Sequence, residues 1–260
     1  MNALEAITLG VVEGITEFLP ISSTFHLIFT ARVLGINQND FIKLFEVFIQ
    51  SGAILSVALL YFKDVVKDKK ILKMVFVSFL PTALIGLFLY KFIKNILFES
   101  EILLVAIFLI VGGIFIILER LVQRKTLKLE KQVKSLDYKQ ALIIGLFQSL
   151  AIIPGVSRAG AVIVGMIVLK YKRDSAAYYS FLLSIPTILA AAFFDLFKTR
   201  QVVSIEAENF FVLLLGFISA FISSYLVIRW FIAYLKRNTL VVFGIYRFVV
   251  GIILLLVLSK

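Results

Sequence analysis

The sequence predicts an all-α polytopic membrane protein with an inverted-topology repeat, each half being a re-entrant helix hairpin followed by three transmembrane helices. Three observations indicate this fold class. Hydrophobic residues make up 61% of the chain and its mean hydropathy is +1.04, beyond what a soluble core can bury. Short basic loops separate the apolar segments. Two distant segments also share one arrangement of glycine, proline and hydroxyl residues.

The composition argues against several other classes of protein. The chain has no cysteine, so it carries neither a disulfide framework nor thiol chemistry. Its net charge of +11 does not indicate nucleic-acid binding, because the basic residues lie in short loops and form no basic domain. Glu5, Glu13 and Glu17 interrupt the first apolar run, so we expect no cleavable signal peptide.

Six apolar segments are each close to the ~20 residues that a bilayer requires. These predicted spans are Lys43–Phe62, Met74–Tyr90, Ile102–Leu118, Ala176–Phe197, Phe210–Leu235 and Leu240–Leu258. Loop charge then predicts orientation, because basic loops stay in the cytoplasm. The basic loops are Lys63–Lys73, Arg120–Lys139, Lys170–Arg173 and Lys236-Arg237. Lys91–Glu101 and Lys198–Glu208 are balanced in charge and are expected outside.

Two hairpins follow from this orientation. Both ends of Gln140–Leu169 are cytoplasmic, so this segment enters the membrane and returns. Its arms of about 14 and 12 residues give ~21 and ~18 Å of helix, too short for a ~30 Å bilayer core. Pro154-Gly155 supplies the break, and Met1–Leu34 is predicted to be a matching hairpin broken at Pro20. Ten ordinary helices without hairpins are the alternative.

The two hairpins carry the repeat. The spacing from Gly10 to Ser22 equals that from Gly145 to Ser157. We expect one membrane domain over 1–260, with repeats at about 1–119 and 138–260 joined by a basic cytoplasmic loop, 120–137. Three spans per half is an odd number, so the halves have opposite orientation. Such repeats place a polar site near the bilayer midplane.

Hydroxyl residues at the two breaks are predicted to bind an anion. Ser22, Ser23 and Thr24 precede one helical arm and Ser157 precedes the other, where such residues cap helices. Two helix N-termini in one cavity suit phosphate, and Arg158 adds a fork of donors. The simpler interpretation is that the serines only satisfy the backbone, but it does not explain the arginine.

The ionisable residues of the first hairpin are candidates for catalysis. Glu13 and Glu17 lie on one helix face, where close carboxylates repel unless a proton or cation separates them. Mg²⁺ or Ca²⁺ bridging to phosphate is our prediction, and a structural pair is the alternative. His26 is a candidate acid, base or nucleophile, and Ser23 and a water molecule are the other candidate nucleophiles. Gln148 stands where the first hairpin has Glu13.

Four further polar residues lie in apolar spans. Glu46 and Gln50 share one face of the first span, and we expect them, with Gln148, to line the cavity. Arg247 and Asp195 are predicted to be structural ion-pair or interfacial groups.

The motifs of both hairpins resemble one family. The run from Glu13 to Thr24 followed by His26, together with Pro154-Gly155-Val156-Ser157-Arg158, resembles the signatures of the undecaprenyl-diphosphate phosphatases, the bacitracin-resistance membrane phosphatases. The similarity covers essentially the whole chain. Its residues Glu13, Glu17, Ser23, His26 and Arg158 match family residues implicated in activity.

The resemblance implies removal of the terminal phosphate from undecaprenyl diphosphate, which recycles the carrier lipid for cell-wall polymers and confers bacitracin resistance. It also implies a divalent cation and a site on the extracytoplasmic side of the bacterial cell membrane. Phe25, Ala159 and Val162 depart from the usual glycine, serine and threonine. We expect Phe25 to narrow the tip and the lost hydroxyls to weaken activity or alter substrate preference.

Two other functions compete with hydrolysis. A carrier-lipid flippase or transporter is the alternative, because inverted repeats with broken helices are typical of transporters. A pseudoenzyme that only binds the lipid is the third hypothesis. The sequence sets neither the metal, the prenyl chain length nor the oligomeric state, for which a homodimer is one candidate.

Overall fold

The computed structural model describes residues 1–37, 39–96, 101–199 and 207–258, and over these residues its regular structure is helical. The α-helices are α1 (Ala3–Thr16), α2 (Ser23–Val33), α3 (Asp40–Lys67), α4 (Lys69–Ile96), α5 (Glu101–Gln123), α6 (Tyr138–Ser149), α7 (Arg158–Val168), α8 (Arg173–Thr199), α9 (Ala207–Leu235) and α10 (Val241–Leu258). Short 3₁₀ turns lie at Val133–Ser135 and Leu150–Ile152.

Five helices are long and apolar enough to cross a membrane. They are α3, α4, α5, α8 and α9, and they coincide with the first five predicted spans. The sixth predicted span is α10, an apolar helix of 18 residues, or ~27 Å. The all-helical, polytopic character predicted from hydropathy is therefore confirmed. Residues 97–100 and 200–206 of the two charge-balanced loops lie outside the described residues.

Two pairs of short helices interrupt the series of long ones. Helices α1 and α2 have 14 and 11 residues, and α6 and α7 have 12 and 11, so each is ~17–21 Å long. Asn2 caps α1 in a capping box with Glu5, and Asp137 caps α6 through the Gln140 amide at 2.8 Å. The interruptions predicted at Pro20 and Pro154 are confirmed, since the helices end before both prolines. These four helices are shorter than the ~30 Å core of a bilayer, as re-entrant arms would be.

Helices of the two halves pack against one another. Helix α1 lies on α9, where a Cβ on Gly10 would collide with the backbone of Gly216. Helix α6 lies on α4, and a Cβ on Gly145 would collide with the Ser78 carbonyl oxygen. Further contacts join α3 to both α8 and α9, α4 to α8, and α5 to α10. The first helix of each short pair, α1 or α6, is thus held against a long helix from the other half of the chain.

The largest apolar cluster surrounds the points where the short helices break. It includes Phe18 from the first break, Phe115 from α5, and Phe181 from α8. The Phe18 and Phe181 rings meet edge to face with centroids 5.3 Å apart. The two breaks therefore lie in a packed environment in which their side chains have fixed directions.

A buried ionic network joins three helices at a distance from the breaks. The fully buried Glu119 of α5 accepts hydrogen bonds from Arg173 Nε at 2.8 Å and from Arg173 Nη2 at 2.5 Å. It also accepts one from the Leu240 amide, which precedes α10, at 2.9 Å. This network holds the end of α5 to α8 and α10, and each charge is compensated.

Candidate active site

The tips of the two short helix pairs form one cavity of about 150 Å³. The first tip contributes Glu17, Ser22, Ser23 and Thr24, and the second contributes Ala151, Ile153, Pro154, Gly155, Ser157 and Arg158. Gln50 of α3 and Ile188 of α8 complete the lining. Six of the predicted site residues are therefore brought together, although those of the first tip lie at least 133 positions from those of the second.

The residues that precede α2 and α7 share an uncommon backbone conformation. Ser22 has φ 69° and ψ 95°, and Ser157 has φ 69° and ψ 115°. Positive φ is costly for a residue with a Cβ atom, so two matched instances at one cavity indicate a constraint from the site. Ser157 caps α7 by accepting the Gly160 amide at 3.2 Å, as predicted. Ser22 makes no capping bond, contrary to the prediction, and lines the cavity.

An ion pair joins the two tips. Arg158 Nη2 donates to Glu17 Oε1 at 2.9 Å, and both side chains are about nine-tenths buried. The other oxygen of Glu17 accepts the Ser23 hydroxyl at 2.5 Å. Arg158 Nη1 donates to the Ser180 carbonyl at 3.1 Å. One carboxylate thus holds both the hydroxyl of one tip and the guanidinium of the other.

Arg158, which lines the cavity, and Glu13, which does not, have buried side-chain atoms without a hydrogen-bond partner. Arg158 Nε has no partner among the described residues, and neither has either carboxylate oxygen of Glu13. Glu13 is fully buried one turn before Glu17 and interacts electrostatically with Glu17, Arg158 and Glu46. Burying such groups without a partner is energetically expensive, so the free Nε–H of Arg158 and the free carboxylate oxygens of Glu13 are available to a ligand or a proton.

His26 lies beside the cavity and does not line it. Its Nδ1 is 2.7 Å from the Ser22 carbonyl oxygen, and its Nε2 is 2.7 Å from the Tyr246 hydroxyl. A carbonyl only accepts, so Nδ1 carries a proton, and in the neutral ring the Tyr246 hydroxyl donates to Nε2. The two rings also stack, with centroids 5.7 Å apart. His26 braces the first tip through the same residue that has positive φ.

The remaining predicted residues divide between the cavity and its surroundings. Gln50 lines the cavity as expected. Gln148 is buried behind it, donating to Thr82 at 2.9 Å and to Thr187 at 3.1 Å. Glu46 does not line it either. The expectation that Glu46 and Gln148 line the cavity is therefore wrong.

Phe25 does not narrow the tip. Its ring is buried and stacks on Phe108 of α5, with centroids 3.8 Å apart and planes 6° from parallel. Ala159 and Val162 are buried in the packed face of α7 and do not line the cavity. The expectation of a narrowed tip is wrong, because the side chain at position 25 points into the helix packing.

Two residues of α10 that touch the site were missed or misjudged from the sequence. Tyr246 had no signal beyond being an aromatic residue in an apolar span. Arg247, predicted as an ion-pair or interfacial group, is fully buried and has no carboxylate partner among the described residues. Its guanidinium instead donates to backbone carbonyls. The side chain of Asp195 lies outside the described residues.

Known proteins match this chain over nearly its whole length. Residues 6–253 match the family model described as "Bacitracin resistance protein BacA". A protein of Aquifex aeolicus named undecaprenyl-diphosphatase is 45% identical over 97% of each chain. Proteins with the same name from Sulfurihydrogenibium sp. and Wolinella succinogenes are 43% and 45% identical, covering 97% and 100% of this chain and 98% and 99% of their own.

We predict that Ser22→Gly leaves the thermal unfolding midpoint in detergent unchanged or raises it. Glycine adopts φ 69° without the steric cost of about 1–2 kcal/mol that a Cβ atom incurs. Ser22→Val is the matched variant and should lower the midpoint, because a branched side chain aggravates the strain. Equal destabilisation by glycine and valine would contradict backbone strain at this position.

Proposed function

The chain belongs to the bacitracin resistance protein BacA family, and we propose that it hydrolyses undecaprenyl diphosphate to undecaprenyl phosphate and inorganic phosphate. This hydrolase cleaves a phosphoanhydride and recycles the carrier lipid for cell-wall polymers, which accounts for bacitracin resistance. The observation that carries the proposal is the arrangement of Ser23, Glu17 and Arg158 at one cavity. Ser23 would be the nucleophile, Glu17 the base and Arg158 the group that binds the phosphate anion, which are the parts that phosphoryl transfer needs.

The terminal phosphate would bind between the two tips. The N-termini of α2 and α7 both begin at this cavity and offer positive dipole ends. The unpartnered Arg158 Nε–H is a further donor, and the hydroxyls of Ser22, Thr24 and Ser157 line the same space. These donors would stabilise the charge on the phosphoryl oxygens as the bridging bond lengthens.

Ser23 is the nucleophile that the geometry supports best. Its oxygen would bond to the terminal phosphorus, Glu17 would take the hydroxyl proton, and the bond to the bridging oxygen would break to release undecaprenyl phosphate. Water would then attack the phosphoserine, releasing inorganic phosphate while the serine oxygen regains a proton. A bound phosphate would also compete with Glu17 for the Arg158 guanidinium.

His26 would act on this reaction by holding the first tip. Both of its ring nitrogens are already engaged, with the Ser22 carbonyl and the Tyr246 hydroxyl. Neither bond involves Ser23. The alternative assignment of His26 as nucleophile would require the ring to leave both partners, and the variants described below separate the two assignments.

A divalent cation, Mg²⁺ or Ca²⁺, fits the carboxylates of the first tip. The two unpartnered oxygens of buried Glu13, one turn from Glu17, are the hard ligands that these ions prefer. Glu13 would hold the ion, whereas Glu17, predicted as the second ligand, has one oxygen bonded to Ser23 and the other to Arg158 and serves as the base in the step above. The ion would neutralise charge on the phosphoryl oxygens. Among the described residues no three His, Cys, Asp or Glu side chains cluster for a metal, so phosphate or water would supply other ligands.

We propose that the fold is an inverted repeat with re-entrant hairpins. Exchange of the halves preserves the packing, since α1 lies on α9 as α6 lies on α4, and α3 lies on α9 as α8 lies on α4. With the basic loops in the cytoplasm, the cavity would open toward the extracytoplasmic side of the inner membrane. The prenyl tail would lie in the bilayer, and a homodimer stays a prediction.

A flippase or a pseudoenzyme is less well supported than hydrolysis. Either would need a phosphate-binding cavity, but neither accounts for a serine hydroxyl bonded to a buried carboxylate. The relatives described above are also named as diphosphatases.

We predict that Ser23→Ala, Glu17→Gln and Arg158→Lys each lower kcat for phosphate release from undecaprenyl diphosphate by about 100-fold or more. Arg237→Lys, in the exposed loop before α10, is the matched control and should keep full activity. His26→Gln should lose only about tenfold, as a brace would. A larger loss in His26→Gln than in Ser23→Ala, with a phosphohistidine trapped in the wild-type protein, would reverse the assignment.

We predict that chelation by EDTA abolishes phosphate release and that Mg²⁺ or Ca²⁺ restores it. Glu13→Gln keeps the side-chain shape but removes the charge, so it should raise the cation concentration for half-maximal activity by about tenfold. Glu5→Gln, at the capped start of the same helix, is the control and should titrate like the wild type. Full activity of the chelated protein would exclude the cation.

We predict that a cysteine at Thr24 reacts with a membrane-impermeant maleimide in intact cells, whereas one at Lys125 reacts only after permeabilisation. The chain has no native cysteine, and both positions are exposed. Labelling of Lys125→Cys alone in intact cells would place the cavity on the cytoplasmic side.

A further inference from the structure

Arg247 of α10 contacts both tips of the active site with one guanidinium. Its Nη1 donates to the Pro20 carbonyl of the first tip at 3.1 Å, and its Nη2 donates to the Gly155 carbonyl of the second. Its Nε donates to the Phe108 carbonyl of α5 at 3.1 Å. Three segments from different parts of the chain are therefore joined through one planar group.

A position that served only for packing would be expected to hold an apolar residue. Arg247 is fully buried, and among the described residues no carboxylate lies within ion-pair distance of it. A buried cation without a counter-ion is costly, and replacing such groups by apolar residues is often stabilising. The cost of burying Arg247 without a counter-ion therefore indicates that its bonds to the three carbonyls have a function beyond packing.

Aromatic rings fix the plane of the guanidinium. Arg247 Cζ lies 4.3 Å from the centre of the Phe108 ring and 5.7 Å from that of Phe115. Phe25 stacks on Phe108. The side chain that replaces the usual glycine at position 25 thus supports the ring against which Arg247 lies.

The two tip carbonyls stand at equivalent places relative to the reacting groups. Pro20 is three residues before Ser23, and Gly155 is three residues before Arg158. We propose that Arg247 is a positioning residue that sets the separation of the nucleophile on one tip from the phosphate ligand on the other. This role rests on the proposed phosphatase function, and Arg247 itself does not line the cavity.

Lysine cannot replace this arrangement. Arginine presents five N–H donors in a rigid plane, whereas lysine has a single flexible ammonium group. Lysine keeps the charge but cannot hold three carbonyls of fixed direction at once. The tips of Arg247→Lys should therefore vary in separation, although the Glu17–Arg158 ion pair still links them.

The first test compares kinetics with stability. Arg247→Lys should lower kcat by about 10–100-fold with KM changed less than about threefold, because ground-state phosphate binding by Arg158 persists while alignment is lost. Phe108→Leu, which removes the ring beneath the guanidinium, should lower kcat in the same direction. If Arg247→Lys does not fold, the kcat of Phe108→Leu tests the proposal in its place. Wild-type kcat in the folded variants would overturn the proposal.

Arg173→Lys is the matched control. It weakens a buried arginine network of the same fold that binds Glu119 and does not reach the tips. It should lower the unfolding midpoint at least as much as Arg247→Lys but leave kcat unchanged. An equal loss of kcat in Arg173→Lys would mean that destabilisation alone explains the effect, which would also overturn the proposal.

The second test does not depend on activity. Spin labels on introduced cysteines at Thr24 and Leu150, both exposed near the tips of this cysteine-free chain, report tip separation by double electron–electron resonance. Arg247→Lys should broaden the distance distribution, and Arg173→Lys should not. An unchanged distance distribution in Arg247→Lys would overturn the proposed positioning role. If the wild-type protein releases no phosphate, the phosphatase proposal fails, and this measurement alone decides the role of Arg247.

Discussion

The ion pair between Glu17 and Arg158 is the interaction on which the site depends. It joins two tips that are far apart in the sequence, and it directs the Ser23 hydroxyl through the second oxygen of the same carboxylate. Removing either partner would leave a buried charge uncompensated, which costs far more than a surface pair contributes. The two tips are therefore chemically unequal: the first carries the Glu17 carboxylate and the Ser23 hydroxyl, and the second carries the Arg158 guanidinium.

Much of this organisation could be predicted because it depends on local composition. Hydropathy predicts the long helices, and the prolines mark where the short ones end. The equal spacing of Gly10 and Ser22 with Gly145 and Ser157 predicts that the two tips are built alike, which their common positive φ supports. Polar residues in otherwise apolar helices predict that Glu17, Ser23 and Arg158 belong to a site, because isolated charges there would be too costly.

The remainder depends on which helix faces meet, and a single sequence does not specify that. His26 could turn toward Ser23 or toward α10, and only the position of Tyr246 decides between them. The sequence allows the Phe25 side chain to point into the cavity or into the helix packing, and in the structure it stacks on the Phe108 ring. Gln148 finds its partners in Thr82 and Thr187, which come from two different helices. In each case the deciding contact is distant in the chain.

The interleaving of the halves also constrains the order of assembly. Helix α1 is synthesised first, but the helix against which its glycine face packs, α9, begins at Ala207. During synthesis α1 cannot pack on α9, and Glu13 and Glu17 lack their final surroundings, until α9 has been inserted. Such long-range pairings are slow to form and leave polar groups exposed to lipid meanwhile. The first tip, with Glu17 and Ser23, therefore reaches its final packing only after α9 has been synthesised.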